Sequence, residues 1–146
     1  MINIGFHTDN FNSVNWNFEQ CLKWAQEHDL HHIECAAIDG VYMLHSLGYW
    51  RHIALYEDPI LMRRKLEKYG VELSEIDAAF PLTVPESMTI GVEYIIHTIR
   101  WAGQAGCPRV DTTDDKYKPE GMSDKDIIEH LRKVIGAVLP IAEAHK

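Results

Sequence analysis

The chain has 146 residues, enough for one ordinary domain with a buried core. Its formal net charge of −8 repels nucleic-acid phosphates, and no apolar run approaches the ~20 residues that cross a bilayer, so nucleic-acid and membrane partners are argued against. Cys21, Cys35 and Cys107 are widely spaced with no CxxC pair, and the N-terminus has no signal-peptide pattern, so the reading is a cytoplasmic protein with free thiols.

The first strand is predicted over residues 2–7, ending at His7. Asn17 then caps a helix, with Gln20 as its reciprocal partner. Phe18, Cys21, Leu22 and Ala25 form the buried stripe of that helix, which fades near Asp29. Residues 32–37 read as the second strand. A long segment without periodicity follows, over residues 38–58, and carries Tyr42, His45, Tyr49, Trp50, Arg51 and His52. Asp58 caps the second helix and Pro59 takes its first position, where a missing N–H costs nothing. Leu61, Met62, Leu66 and Tyr69 give its apolar stripe, and Gly70 ends it.

Residues 71–77 read as a third strand, more polar than a fully buried parallel strand should be. A loop with two prolines spans residues 78–86. The third helix is predicted over residues 89–104, with Val92, Ile95, Ile96, Ile99 and Ala102 on one face and Gly106 as the stop. Residues 109–112 form the fourth strand. Ser123 and Asp126 resemble a capping box that opens the fourth helix. Its stripe is Ile127, Ile128, Leu131, Val134, Ile135, Val138 and Leu139, and Pro140 is predicted to kink or shorten it.

Strand and helix alternate four times, with tight turns after helices and long loops after strands. That pattern implies right-handed crossovers and an α/β fold with a parallel sheet, in one domain over residues 1–146. In such folds the site forms at the carboxyl ends of the strands. His7 ends the first strand, where an imidazole suits a hydroxyl-binding or general-base role, or a structural one. Glu34 ends the second strand on the face opposite Ile33 and Cys35. A carboxylate there needs a cation, a donor or a ligand, so a site role competes with a salt bridge. Asp77 and Asp111, with Asp114 and Asp115, stand at or beyond the third and fourth strand ends. Trp50, Arg51 and His52 lie in the long loop, which reads as a substrate-binding lid or as a cover for the barrel top. His31 and His32 begin the second strand, at the opposite end from a site. His28, His97 and His130 fall on helices and read as surface or interface residues.

The phrases "NFEQCLKWAQEHDLHHIEC", "LEKYGVELSEID" and "IRWAGQAGCPRV" resemble the helix–turn–strand phrases of the xylose isomerase-like TIM barrels. That family includes sugar-phosphate isomerases and epimerases, dehydratases and apurinic-site endonucleases. The resemblance implies that the four βα units are the first half of a (βα)8 barrel. It also implies metal-dependent proton transfer on a hydroxy-ketone sugar in a full barrel, with a divalent ion such as manganese or magnesium. The family's metal ligands come from strands five to eight, so no metal ligand carries over to this chain. Of the first-half positions that touch substrate, His7 and Glu34 have counterparts, and these two are the candidate catalytic residues. Trp50, Arg51, His52, Asp77 and Asp111 are the candidate substrate-binding residues. The histidines that the endonucleases place after strands three and four are replaced by residues 78–80 and 112–114.

A half barrel leaves the sheet with free edges and an inner face without its opposite wall. Exposed apolar edges and faces seek partners, so a homo-oligomer, a dimer in the simplest case, is expected. Two functions follow from the same reading. One is a sugar isomerase or epimerase homologue, or a fragment of one. The alternative is a non-catalytic half-barrel module that assembles as a dimer.

Overall fold

The computed structural model describes residues 3–38, 52–113 and 118–145. Among the described residues there are five strands: β1 (Gly5–His7), β2 (His32–Ile38), β3 (Ile53–Ala54), β4 (Glu72–Asp77) and β5 (Val110–Asp111). The described helices are α1 (Phe18–Glu27), α2 (Pro59–Tyr69), α3 (Ile90–Ala105) and α4 (Asp124–Ala144). The sheet runs β1-β2-β4-β5 with all neighbours parallel, and β3 pairs with the end of β2. This is an α/β fold of four βα units, as the alternation in the sequence requires.

The caps set the element boundaries. Asn17 Oδ1 accepts from the Gln20 N–H while the Gln20 side chain accepts from the Asn17 N–H. Asp58 accepts from the Ile60 and Leu61 N–H groups, and Pro59 follows it. Ser123 and Asp126 form the reciprocal box that starts α4. Gly70 and Gly106 end α2 and α3 in the left-handed conformation, with φ of 66° and 83°.

Strand alternation sorts the sheet into two chemically different faces. Ile33, Cys35, Leu73 and Ile76 are buried under the helices, against Cys21, Leu22, Ala25, Met62, Leu66 and Trp101. A second cluster under α3 and α4 gathers Ala78, Leu82, Val92, Ile95, Val134 and Val138. The other face carries His7, His32, Glu34 and Asp77. This corrects the expectation of an apolar inner face. A barrel interior is ordinarily filled with branched aliphatic side chains, whereas this one is polar and tolerates water. The polar character of the third strand, which the sequence shows, has the same origin. Ile33 pairs with Leu73 and Glu34 with Glu75, so Ser74 is an inserted residue, and its hydroxyl donates to the Ile33 carbonyl at 3.2 Å.

Four local expectations change. Strand β1 begins at Gly5, and the aperiodic loop contributes the short strand β3. Pro140 does not shorten α4, which continues to Ala144. The carbonyl that Pro140 frees belongs to exposed Gly136 and can bond to water instead. The stripe assigned to α4 splits: Val134 and Val138 are buried, but Ile128, Ile135 and Leu139 are 54%, 43% and 50% exposed. Finally, His130 is not a surface residue. Its Nε2 lies 2.7 Å from Ser87 Oγ and 3.0 Å from the Val84 carbonyl, tying α4 to the turn over Pro85–Met88.

Gly5 is required by close strand approach. A Cβ there would sit 2.6 Å from the His32 carbonyl oxygen. Gly5→Ala should therefore destabilise the fold by about 1–3 kcal/mol, the usual cost of forcing backbone apart. A urea midpoint equal to that of the parent would refute this.

Candidate functional site at the carboxyl ends of the strands

His7 ends β1, and the chain turns directly into a 3-10 segment, Thr8–Val14. The turn brings the Asp9 backbone N–H to 3.0 Å from His7 Nδ1, to which it donates. A ring nitrogen that accepts carries no proton. The neutral His7 ring therefore holds its proton on Nε2. That Nε2 lies 3.8 Å from Glu34 Oε1, the in-register neighbour on β2 and somewhat beyond direct hydrogen-bond reach. An aromatic cluster fixes the 3-10 segment. Phe11 stacks on Trp16 at 4.6 Å between ring centroids, and Phe6, Phe11 and Trp24 meet edge to face.

On the other side of β2 the register pairs Ala36 with Asp77 and Asp77 with Asp111. Asp77 is half-buried, and burial is the main reason its carboxyl is pushed up to about 6. The Asp111 carboxylate raises it further, as do Glu34 and Asp9, while His7 acts in the opposite direction. The charges that act on Asp77 thus come from β1, β2, β5 and the 3-10 segment together. His52 is buried beside this group, with Nε2 4.0 Å from Asp9 Oδ1.

The structure therefore groups His7, Glu34, Asp77 and Asp111, with His52 at the margin, but Glu34 does not end its strand as expected: β2 continues to Ile38, and Glu34 lies within it beside His7. Trp50, Arg51, Asp114 and Asp115 lie outside the described residues. Sequence reasoning passed over Asp9. The signal was its position two residues past His7, where a tight turn returns its amide to the imidazole. The inner face below forms an open groove of 760 Å³, lined by His7, Asn10, Glu34, His32, Ser74 and Arg109 among others. At its lower end His32 Nδ1 is 3.1 Å from Glu72 Oε1, and Arg109 Nε is 3.6 Å from Glu75 Oε2. His31, outside the groove, makes a 2.9 Å contact with the Gly70 carbonyl, which raises its pKa.

The divalent ion implied by the resemblance finds no ready donor set. Among the described residues, no group of three or more His, Cys, Asp or Glu side chains is placed to hold an ion. The three thiols are free and buried. Burial raises Cys35 far above the ordinary thiol range and Cys107 to about 11, so neither is a nucleophile. Among the described residues, no helix is long and apolar enough to cross a membrane.

No family model and no curated protein matches the chain. Solved structures do. A protein of Sinorhizobium meliloti 1021 superposes with a TM-score of 0.71 at 12% identity, covering 98% of this chain and 47% of that one. A sugar phosphate isomerase/epimerase from Parabacteroides distasonis ATCC 8503 gives 0.65 at 9% identity, covering 98% and 48%. A D-psicose 3-epimerase, crystallised in the presence of D-fructose, gives 0.65 at 12% identity, covering 99% and 50%. The chain spans about half the length of each. At these identities the likeness concerns fold, and the four-unit parallel sheet matches one half of a closed eight-unit cylinder. The chain has an α/β fold of four βα units, equivalent to about half of a TIM barrel.

Proposed function

We propose that this chain supplies one wall of a carbohydrate isomerase- or epimerase-type site. The observation that carries this reading is the convergence of His7, Glu34, Asp77 and Asp111 on the carboxyl end of the sheet. Such enzymes move a proton to and from carbon next to a carbonyl. That task needs a donor for the carbonyl oxygen and a carboxyl group able to change protonation near neutral pH. His7 serves as the donor through Nε2–H, with Nδ1 committed to the Asp9 amide. Asp77, held near 6, is suited to accept and return a proton. Glu34 and Asp111 accept hydrogen bonds from substrate hydroxyls. Trp50, Arg51 and His52 belong to the loop that enters this region, and cover of the bound sugar is the role we assign them. No step is routed through a metal.

The opposite wall comes from a second copy. The stripe of Ile128, Ile135 and Leu139 on α4 is exposed apolar surface on the outermost helix beside the β5 edge. Free thiols support a cytoplasmic setting. The same exposed stripe supports a second reading, in which the dimer is a non-catalytic module.

Solvent exchange separates the two. A ketohexose incubated with the protein in heavy water should take up deuterium at the carbon beside its carbonyl, read by proton NMR. Asp77→Asn should slow the exchange by about 10²-fold or more, the usual loss on removing a group that acts in proton transfer. Exchange no faster than in buffer would remove the catalytic reading and leave the module.

A further inference from the structure

We infer that this wall recognises an uncharged polyhydroxylated ligand and disfavours phosphorylated or carboxylated ones. The inference rests on the carbohydrate-site reading above and narrows it to a substrate class. Four carboxyl groups, Asp9, Glu34, Asp77 and Asp111, are grouped near the strand ends with two histidines, His7 and His52, and His7 Nδ1 accepts from the Asp9 amide. The charges that act on Asp77 come from Asp111, His7, Glu34 and Asp9, with no described lysine or arginine among them. Arg109, at the lower end of the groove, lies against Glu75 at 3.6 Å.

The backbone offers an anion little more. Helix N-termini are the usual phosphate seats of such folds, because their first amides lack partners. Here α1, α2 and α4 have those amides occupied by Asn17, Asp58 and Ser123. The remaining one, α3, is entered from the turn over Pro85–Met88 and carries Glu93 in its first turn, which repels an anion.

What remains is a set of acceptors with one oriented donor. Sugar hydroxyls donate to carboxylates and accept from an imidazole N–H, so a neutral polyol satisfies both without desolvating an extra charge. A phosphate or carboxylate placed in the same position meets like charges within a few ångströms.

The test uses the whole chain and two probes that differ by one phosphate group. D-fructose and D-fructose 6-phosphate are each titrated into nitrogen-15-labelled protein, at low salt and pH 7.5, and amide shifts at His7, Glu34 and Asp77 are followed. The expected result is that fructose binds at least about tenfold more tightly than its phosphate. The gap should narrow at high salt, and also in Glu34→Gln and Asp111→Asn. Should the phosphate bind as well as or better than fructose, the inference falls while the carbohydrate reading stands. A gap that neither salt nor either variant changes also overturns it, since charge is then not its cause. If neither sugar moves those amides, both readings are overturned.

Discussion

The variant Ile128→Lys, Ile135→Lys, Leu139→Lys will sediment as a monomer at concentrations where the parent chain is a dimer, with its melting temperature nearly unchanged. The three positions are spaced by seven and four residues, so they lie along one side of α4. Val134 and Val138, on the side facing the core, are buried at 0% and 8% exposure and are untouched by the change. Each exposed aliphatic side chain has roughly half of its surface still to bury. That is worth about 1 kcal/mol apiece, or about 6 kcal/mol over the six in a symmetric pair. Removing it, and adding six positive charges to the contact, is enough to abolish micromolar association. The polar inner face gives the reason to look at the helix. A sheet face carrying His7, His32, Glu34 and Asp77 supplies little hydrophobic drive, so the proposed dimer would draw on the apolar stripe outside the sheet. Sedimentation velocity on both proteins decides the matter: a parent that is monodisperse and monomeric across the micromolar range rules out the second copy.

The fold was legible where local chemistry repeats. Asn17 with Gln20, Asp58 with Pro59, and Ser123 with Asp126 each close a hydrogen-bonding account within four residues, so they fix helix starts without any tertiary knowledge. Gly70 and Gly106 do the same at helix ends. Strand β3 was not legible, because two residues paired to Ala37 and Ile38 leave no periodic trace. The α4 stripe misled for a related reason. Apolar spacing says that a surface will be covered, but not whether this same chain covers it. At the site, chain order placed His7, Glu34, Asp77 and Asp111 at the strand ends. Their convergence depends on register, and register here contains the Ser74 insertion, which no pattern in the sequence announces. The choice of His7 tautomer depends on the Asp9 amide, a backbone group visible only after the 3-10 turn is built.

Asp77→Asn is expected to stabilise the protein above pH 7 and to have almost no effect at pH 4. Burial and the neighbouring Asp111 charge raise the folded-state pKa of Asp77 to about 6, above its value in the unfolded chain. Below about pH 4 the carboxyl is protonated in both states, and folding carries no penalty from it. As pH rises towards 6 the unfolded chain releases this proton while the folded chain retains it, so the parent loses stability across that window. Above it the side chain is ionised in both states and the full penalty applies. For a half-buried carboxyl screened by solvent the penalty is about 1–2 kcal/mol. Asparagine has nearly the same shape and no charge, so it escapes the penalty entirely. The melting temperature of the variant should exceed that of the parent by about 3–6 °C at pH 7.5, and the two curves should merge near pH 4. Asp111→Asn should give a smaller gain of the same sign, because it removes one cause of the shift and leaves burial in place. Equal melting temperatures for parent and Asp77→Asn at pH 7.5 would mean that Asp77 ionises freely, and with that the proton carrier assigned to this site is lost. A site that keeps a destabilising carboxyl where an amide would fold better keeps it for a reason other than folding, and proton transfer is the chemistry that an amide cannot perform.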